Sequence, residues 1–183
     1  MPDAFAPLVE RILSGEIDEA TSARSPEDEV LNLHDLFRIR LLRYAASLGL
    51  KPHDAEDVIQ EVFLALFKHL RAERPRNNLP GWIFRVTHRL ALKRRVQSHG
   101  DELIRDGREH ELVAEDIFSP EDEVIFDERQ RRLRSIFLAL PEIDRLCLQL
   151  RSEGLKYREI ASVLTISLGS VHKSLSRSLS RLF

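Results

Sequence analysis

The chain has 183 residues, 32% charged and 43% hydrophobic, which suits one ordinary soluble domain or two small ones. Its single cysteine, Cys147, excludes an intrachain disulfide and a cysteine-built zinc cage, and no apolar run approaches the ~20 residues of a membrane span. The formal net charge of −2 hides a strong asymmetry. Residues 1–30 carry eight acids and two bases, net −6, and residues 31–73 balance. Residues 74–99 carry seven bases (Arg74, Arg76, Arg85, Arg89, Lys93, Arg94, Arg95) and no acid. Residues 100–128 carry twelve acids and two bases, net −10; residues 129–183 carry eleven bases and four acids, net +7. Local patches of this kind govern partner choice more than the total does.

Few glycines and prolines, gathered in connecting stretches, favour long helices. Phe5–Leu13 reads as a first helix, with Leu8, Val9, Ile12 and Leu13 on one side. The acidic stretch 18–29 reads as a loop. A second helix runs from Glu29 to Leu48, where Gly49 stops it. Pro52 opens a third, to Leu70, with a stripe of Ala55, Val58, Val62, Ala65, Leu66 and Leu70. Beside it lies a second apolar row, Ile59, Phe63 and Phe67, which suits either burial on two sides or a partner-binding edge. The loop 71–81 is basic, with Asn78 as the expected cap of a fourth helix and Pro80 just inside it. That helix, to Val96, places Ile83, Val86 and Leu90 inward and Arg85, His88, Arg89 and Lys93 outward. Residues 97–127 lose helical periodicity and read as a linker. Arg129–Leu140, Glu142–Arg151 and Tyr157–Leu164 follow as helices, then a last one carrying Val171, Leu175, Leu179 and Leu182. No segment has strand periodicity.

The run REIASVLTISLGSVHKSLSRSLSRL has helix-turn-helix grammar. Ala161 is small enough for two helices to cross closely, Ile160 and Leu164 enter the core, and Val171 and Leu175 re-enter it after a short turn. Ser167 or Ser170 would cap the second helix. Ser170, His172, Lys173, Ser174 and Arg177 are then expected to look outward, where a recognition helix reads the major groove. Thr165 stands where a turn of this kind wants glycine, and a β-branched residue tolerates positive φ poorly.

Three segments, in order, resemble bacterial RNA polymerase sigma factors of the extracytoplasmic-function (ECF) group. DAEDVIQEVFLALFKHL at 54–70 is similar to that family's core-polymerase-binding helix. NNLPGWIFRVTHRLALKRR at 77–95 is similar to its promoter-melting, minus-10-reading segment. LPEIDRLCLQLRSEGLKYREIASVLTISLGSVHKSLSRSLSRL at 140–182 is similar to its minus-35-reading domain. The resemblance implies an all-α fold of two small domains: a region 2-like bundle over 1–98 and a region 4-like helix-turn-helix over 126–183. A flexible acidic linker over 99–125 joins them. It implies a polymerase-binding surface at Asp54, Asp57, Gln60, Glu61 and Phe63. It implies minus-10 contacts from Arg76, Asn77, Asn78, Trp82, Arg85, His88, Arg89 and Lys93, with Phe84 as a further ring. It implies minus-35 contacts from Ser167, Ser170, His172, Lys173, Ser174 and Arg177. The independent physics agrees, since melted DNA needs stacking rings in a positive groove. The implied partners are core RNA polymerase, promoter DNA and an anti-sigma protein, with no cofactor, no metal and no membrane insertion. The start of the chain lacks the basic and apolar blocks of a secretory leader, so the expected compartment is the cytoplasm. The chain departs from the family at Arg89, usually Asn, at Lys93, usually Asp, and at Thr165, usually Gly.

Three other readings compete. A sigma-like decoy would bind an anti-sigma regulator without starting transcription. An ordinary dimeric helix-turn-helix repressor would leave 54–70 and 77–95 unexplained. A helical nucleotide hydrolase would use Asp54, Asp57 and Glu61, spaced i, i+3 and i+7, to hold Mg²⁺, with His53 and His69 nearby in sequence. Against catalysis, no second helix offers a matching acidic cluster, and there is no phosphate-cradling glycine loop or HExxH. Cys147, among Leu146, Leu148 and Leu150, reads as a small buried hydrophobe.

Overall fold

A computed structural model describes residues 25–102 and 135–182, and every regular element among them is helical. The fourth helix, expected to end at Val96, runs on to Glu102 and takes in the start of the expected linker. The expected helix at 5–13, the rest of the linker and most of the 129–140 helix lie outside the described residues. The chain divides into two compact units, with the division between Asp106 and Gly107.

In the first unit, α1 spans Pro26–Ser47, α2 Pro52–Arg71 and α3 Leu79–Glu102. The expected loop over 18–29 is corrected at its end, because α1 already starts at Pro26. Ser25 is extended and its side chain accepts from the Asp28 backbone N–H at 3.1 Å. Proline then fits the first turn, and Glu27, Asp28 and Glu29 face the positive end of the helix dipole. Gly49, at φ 85°, gives the left-handed turn that releases the chain toward α2. The helix α2 packs against both α1 and α3. Its two apolar rows are therefore both used: Ile59 and Phe63 are as buried as Val58 and Val62. Phe84 of α3 closes the core, edge-on to Phe37 at 6.3 Å and to Tyr44 at 5.5 Å. All three rings are fully buried, and such pairs add to simple area burial.

In the second unit, α4 spans Glu142–Ser152, α5 Tyr157–Leu164 and α6 Leu168–Leu182. A helical turn at 135–138 precedes them. The core is aliphatic: Leu146, Leu150, Leu155, Ile160, Val163, Val171 and Leu175, with Cys147. Burial raises the Cys147 thiol above its ordinary pKa, which favours the protonated form. The turn between α5 and α6 passes through Thr165 at φ 56°, ψ 42°. The helix-turn-helix therefore forms with a β-branched residue in the left-handed region, at a steric cost of about 1–2 kcal/mol.

Candidate functional site

The acidic face of α2 begins at its first turn. Asp54, its third residue, is buried and accepts from Arg94 Nε at 2.7 Å. Arg94 Nη2 donates to Asp57 at 2.9 Å, and Ser98 approaches the second Asp54 oxygen at 3.5 Å. The hydrogen bond to Asp54 raises Arg94 above its ordinary pKa. A guanidinium thus occupies the place that a bridging metal would need, which removes the physical basis of the hydrolase reading. Among the described residues no group of three His, Cys, Asp or Glu side chains is arranged to hold a metal.

What α2 offers to solvent is a row one turn further on. Asp57 remains 54% exposed, Gln60 and Glu61 are exposed, and Leu64 is 60% exposed. Leu64 escaped the sequence reading, although its spacing of four from Gln60 and three from Glu61 puts it on that face. Phe63 is corrected: it is buried, and His34 of α1 meets its ring at 4.9 Å. It supports the face from beneath.

The loop 72–78 and α3 carry the basic block, and the structure divides it in two. Arg76 turns to the buried Glu29 at 3.3 Å, Arg94 to Asp54 and Asp57, and Arg95 to the Leu48 carbonyl at 3.2 Å, closing the end of α1. Arg85, Arg89 and Lys93 are exposed at four-residue steps and form one outward stripe. Asn78 caps α3 as expected, accepting from the Gly81 N–H at 3.0 Å, yet it does so from φ 59°. A Cβ at Gly81 would lie 2.5 Å from the Asn78 amide, so this cap needs glycine there. Asn77 and Asn78 are both exposed, but the Asn78 carbonyl oxygen is engaged in the cap. Trp82 is half-buried against His69, ring centroids 4.8 Å apart, and His69 Nε2 lies 3.0 Å from the Pro75 carbonyl. This pair ties the loop to the end of α2. His88 is half-buried with Nδ1 2.9 Å from the Tyr44 hydroxyl. Phe84, expected as a stacking ring, belongs wholly to the core.

In the second unit Ser167 caps α6, accepting from the Ser170 N–H at 3.1 Å, with the two hydroxyls 2.9 Å apart. Ser170, His172 and Lys173 are exposed, as is Ser176, which the sequence reading missed. Ser174 is corrected: only 3% exposed, it lies against Asp144 and Cys147 inside the unit. Arg177 is also redirected. Its Nε and Nη2 donate to the two oxygens of Asp144 at 2.7 and 2.8 Å. These donors hold the Asp144 carboxyl below its ordinary range, although burial works against them. Tyr157, at the start of α5, meets the His172 ring at 6.4 Å, and its neighbours Lys156 and Arg158 are exposed. These cations at a helix start add charge beside α6.

Residues 33–99 match the family described as sigma-70 region 2, and residues 130–182 match sigma-70 region 4. Over 132 residues the chain is 30% identical to the RNA polymerase sigma-H factor of Pseudomonas aeruginosa, covering 68% of each chain. It is 31% identical over 156 residues to the ECF RNA polymerase sigma factor SigE of Mycolicibacterium smegmatis, covering 82% of this chain and 57% of that one. Two solved structures share the fold. CnrH, solved with the cytosolic domain of CnrY, superposes with a TM-score of 0.55 at 21% identity, covering 95% of this chain and 94% of the other. The sigma factor RpoE of Bartonella quintana, solved with the anti-sigma factor NepR, gives 0.58 at 23% identity, covering 82% and 94%.

Proposed function

The chain belongs to the ECF group of RNA polymerase sigma factors, and from that premise we propose that it binds core RNA polymerase and directs initiation at promoters. The observation that carries this reading is the presence of sigma-70 regions 2 and 4 in one chain, each with an exposed basic helix face. The row Asp57, Gln60, Glu61 and Leu64 contacts the polymerase, an acidic face with one apolar anchor that suits a basic partner. Asp54 and Phe63 hold that row in place. The stripe Arg85, Arg89 and Lys93, with Asn77 and the open side of Trp82, takes the melted minus-10 strand through charge and stacking. Arg76, Asn78 and His88 shape this surface through Glu29, the α3 cap and Tyr44. Ser170, His172, Lys173 and Ser176 read the minus-35 element, with Lys156 and Arg158 placed for phosphates.

The chain performs no catalysis of its own in this reading and acts in the cytoplasm, where its polymerase works. None of the helices among the described residues is long and apolar enough to cross a membrane. An anti-sigma protein would control it, which the RpoE–NepR pairing of a structural neighbour supports; it would act by covering the α2 row or the basic stripes. The reading is tested by core binding and footprinting. The double change Asp57→Arg with Glu61→Arg should weaken core polymerase binding by on the order of tenfold or more and leave the helical content intact. Unchanged affinity would remove this face from the proposal. The assembled complex should protect promoter DNA at two elements; protection at one alone would deny a role to one of the units.

A further inference from the structure

The sequence points Arg177 at DNA, and the structure ties its guanidinium to a buried carboxylate while half of the side chain stays exposed. Asp144 is the third residue of α4 and its side chain has 0% exposure. Arg177 lies 33 residues later on α6 and closes both carboxylate oxygens with a two-pronged hydrogen bond. Ser174, one turn earlier on α6, is buried beside the same carboxylate and helps to lower its pKa. Two points of one helix thus meet a single fixed group on another. The neighbouring contacts of Val171 and Leu175 are apolar and carry no direction of their own. A planar guanidinium fork on a carboxylate does carry direction. With α6 held at residue 177 and packed at residue 174, its rotation about its own axis is set. That rotation leaves Ser170, His172, Lys173 and Ser176 facing solvent.

We propose that Arg177 is a positioning residue for promoter reading, acting through Asp144 to fix the rotation of the recognition helix rather than by touching DNA. The inference rests on the assignment of α6 as the minus-35 reader. It deepens that assignment by committing the half-exposed Arg177 guanidinium to Asp144, with Lys173 as the cation among the exposed residues of the first half of α6.

The test uses full-length chain assembled with core polymerase on a promoter that this assembly transcribes, and measures upstream-element affinity against salt. Electrostatics and positioning predict opposite signs for Asp144→Asn. Removing a buried negative charge and freeing Arg177 would tighten DNA binding if charge were what mattered. Positioning predicts weaker upstream binding, on the order of tenfold, with the salt slope unchanged. Because Asp144→Asn also perturbs the core, the volume-conserving pair Asp144→Leu with Arg177→Met serves as the folded control. It should keep the thermal midpoint of the second unit while upstream binding stays weak with the same slope, since the directional fork is gone and no phosphate contact is lost. The proposal is overturned if Asp144→Asn leaves binding unchanged or tightens it. It is equally overturned if the double variant binds the upstream element as the original does, or if its slope is lower by about one unit, the mark of a lost phosphate contact. A wild-type assembly that protects only the minus-10 element would instead overturn the assignment of α6 itself.

Discussion

The two units solve one problem with the same device in different surroundings. Each must hold a basic helix so that one face stays outward, and each does so with an arginine on that helix. Arg94 reaches the third residue of α2, and Arg177 the third residue of α4. In the first unit the arginine is shared between two carboxylates: Arg94 spans Asp54 and Asp57, and Asp57 also belongs to the proposed polymerase face. In the second the carboxylate is sealed and takes both prongs alone. The first unit adds an aromatic cluster of Phe37, Tyr44 and Phe84, while the second relies on aliphatic packing. Both arginines are partly exposed, but the Asp144 carboxylate has no exposure and a single partner arginine, and a buried carboxylate is costly to leave unpaired. Helix placement in the first unit should therefore depend mainly on its rings, and in the second on its pair.

The sharpest way to break this comparison is Phe84→Ala. Truncating a fully buried phenylalanine should cost about 3–5 kcal/mol, felt in the first unit alone. Trp82, the single tryptophan, lies in that unit and reports its unfolding by fluorescence. Equal loss in the second unit would mean that the two do not melt separately. The next effect is on acid stability. Asp144 titrates below the ordinary carboxylate range when folded, so its stabilisation is complete above that range and lost as pH falls through the folded value. The pKa of Arg177 is raised, so its share persists throughout that window. Helical signal from the second unit should therefore drop as pH falls below about 4, and Asp144→Asn should flatten this limb. A profile identical in both proteins would take the pair out of the account.

Smaller effects concern the turns. Gly81→Ala should displace the Asn78 cap and cost the first unit about 1 kcal/mol, read as an earlier Trp82 transition. Thr165→Gly relieves a left-handed β-branched residue and should stabilise the second unit by up to about 1 kcal/mol, seen in its thermal midpoint. A loss at Thr165→Gly would show that the threonine side chain contributes more than its strain removes.

Local signals were legible in the sequence and distant ones were not. Helical periodicity located α2, α4 and α5 to within a residue, and Asn78, Ser167 and Thr165 stand where turn chemistry puts them. The start of α1 was masked because its acids resemble a solvated loop until Ser25 is seen to cap them. Phe63 was assigned to a partner because a helical wheel shows that a row is apolar without showing which neighbour covers it. Asp54 and Ser174 read as outward for the same reason in polar form, and Arg177, which is exposed, gives no sign in the sequence of its contact with Asp144. A polar residue turns inward only when a counterpart waits there, and Arg94 and Asp144 lie 40 and 33 positions away in the chain. The Leu64 and Ser176 exposures needed the packed helices to be seen.

The central claim is that two basic helices, each fixed from within, direct polymerase to a promoter. It is tested most directly by transcription from genomic fragments with core polymerase, with and without this chain. The account predicts discrete transcripts that appear only with the chain and fade when Arg85, Arg89 and Lys93 are together changed to Ala. Tight core binding with no transcript from any fragment would contradict it and favour a decoy.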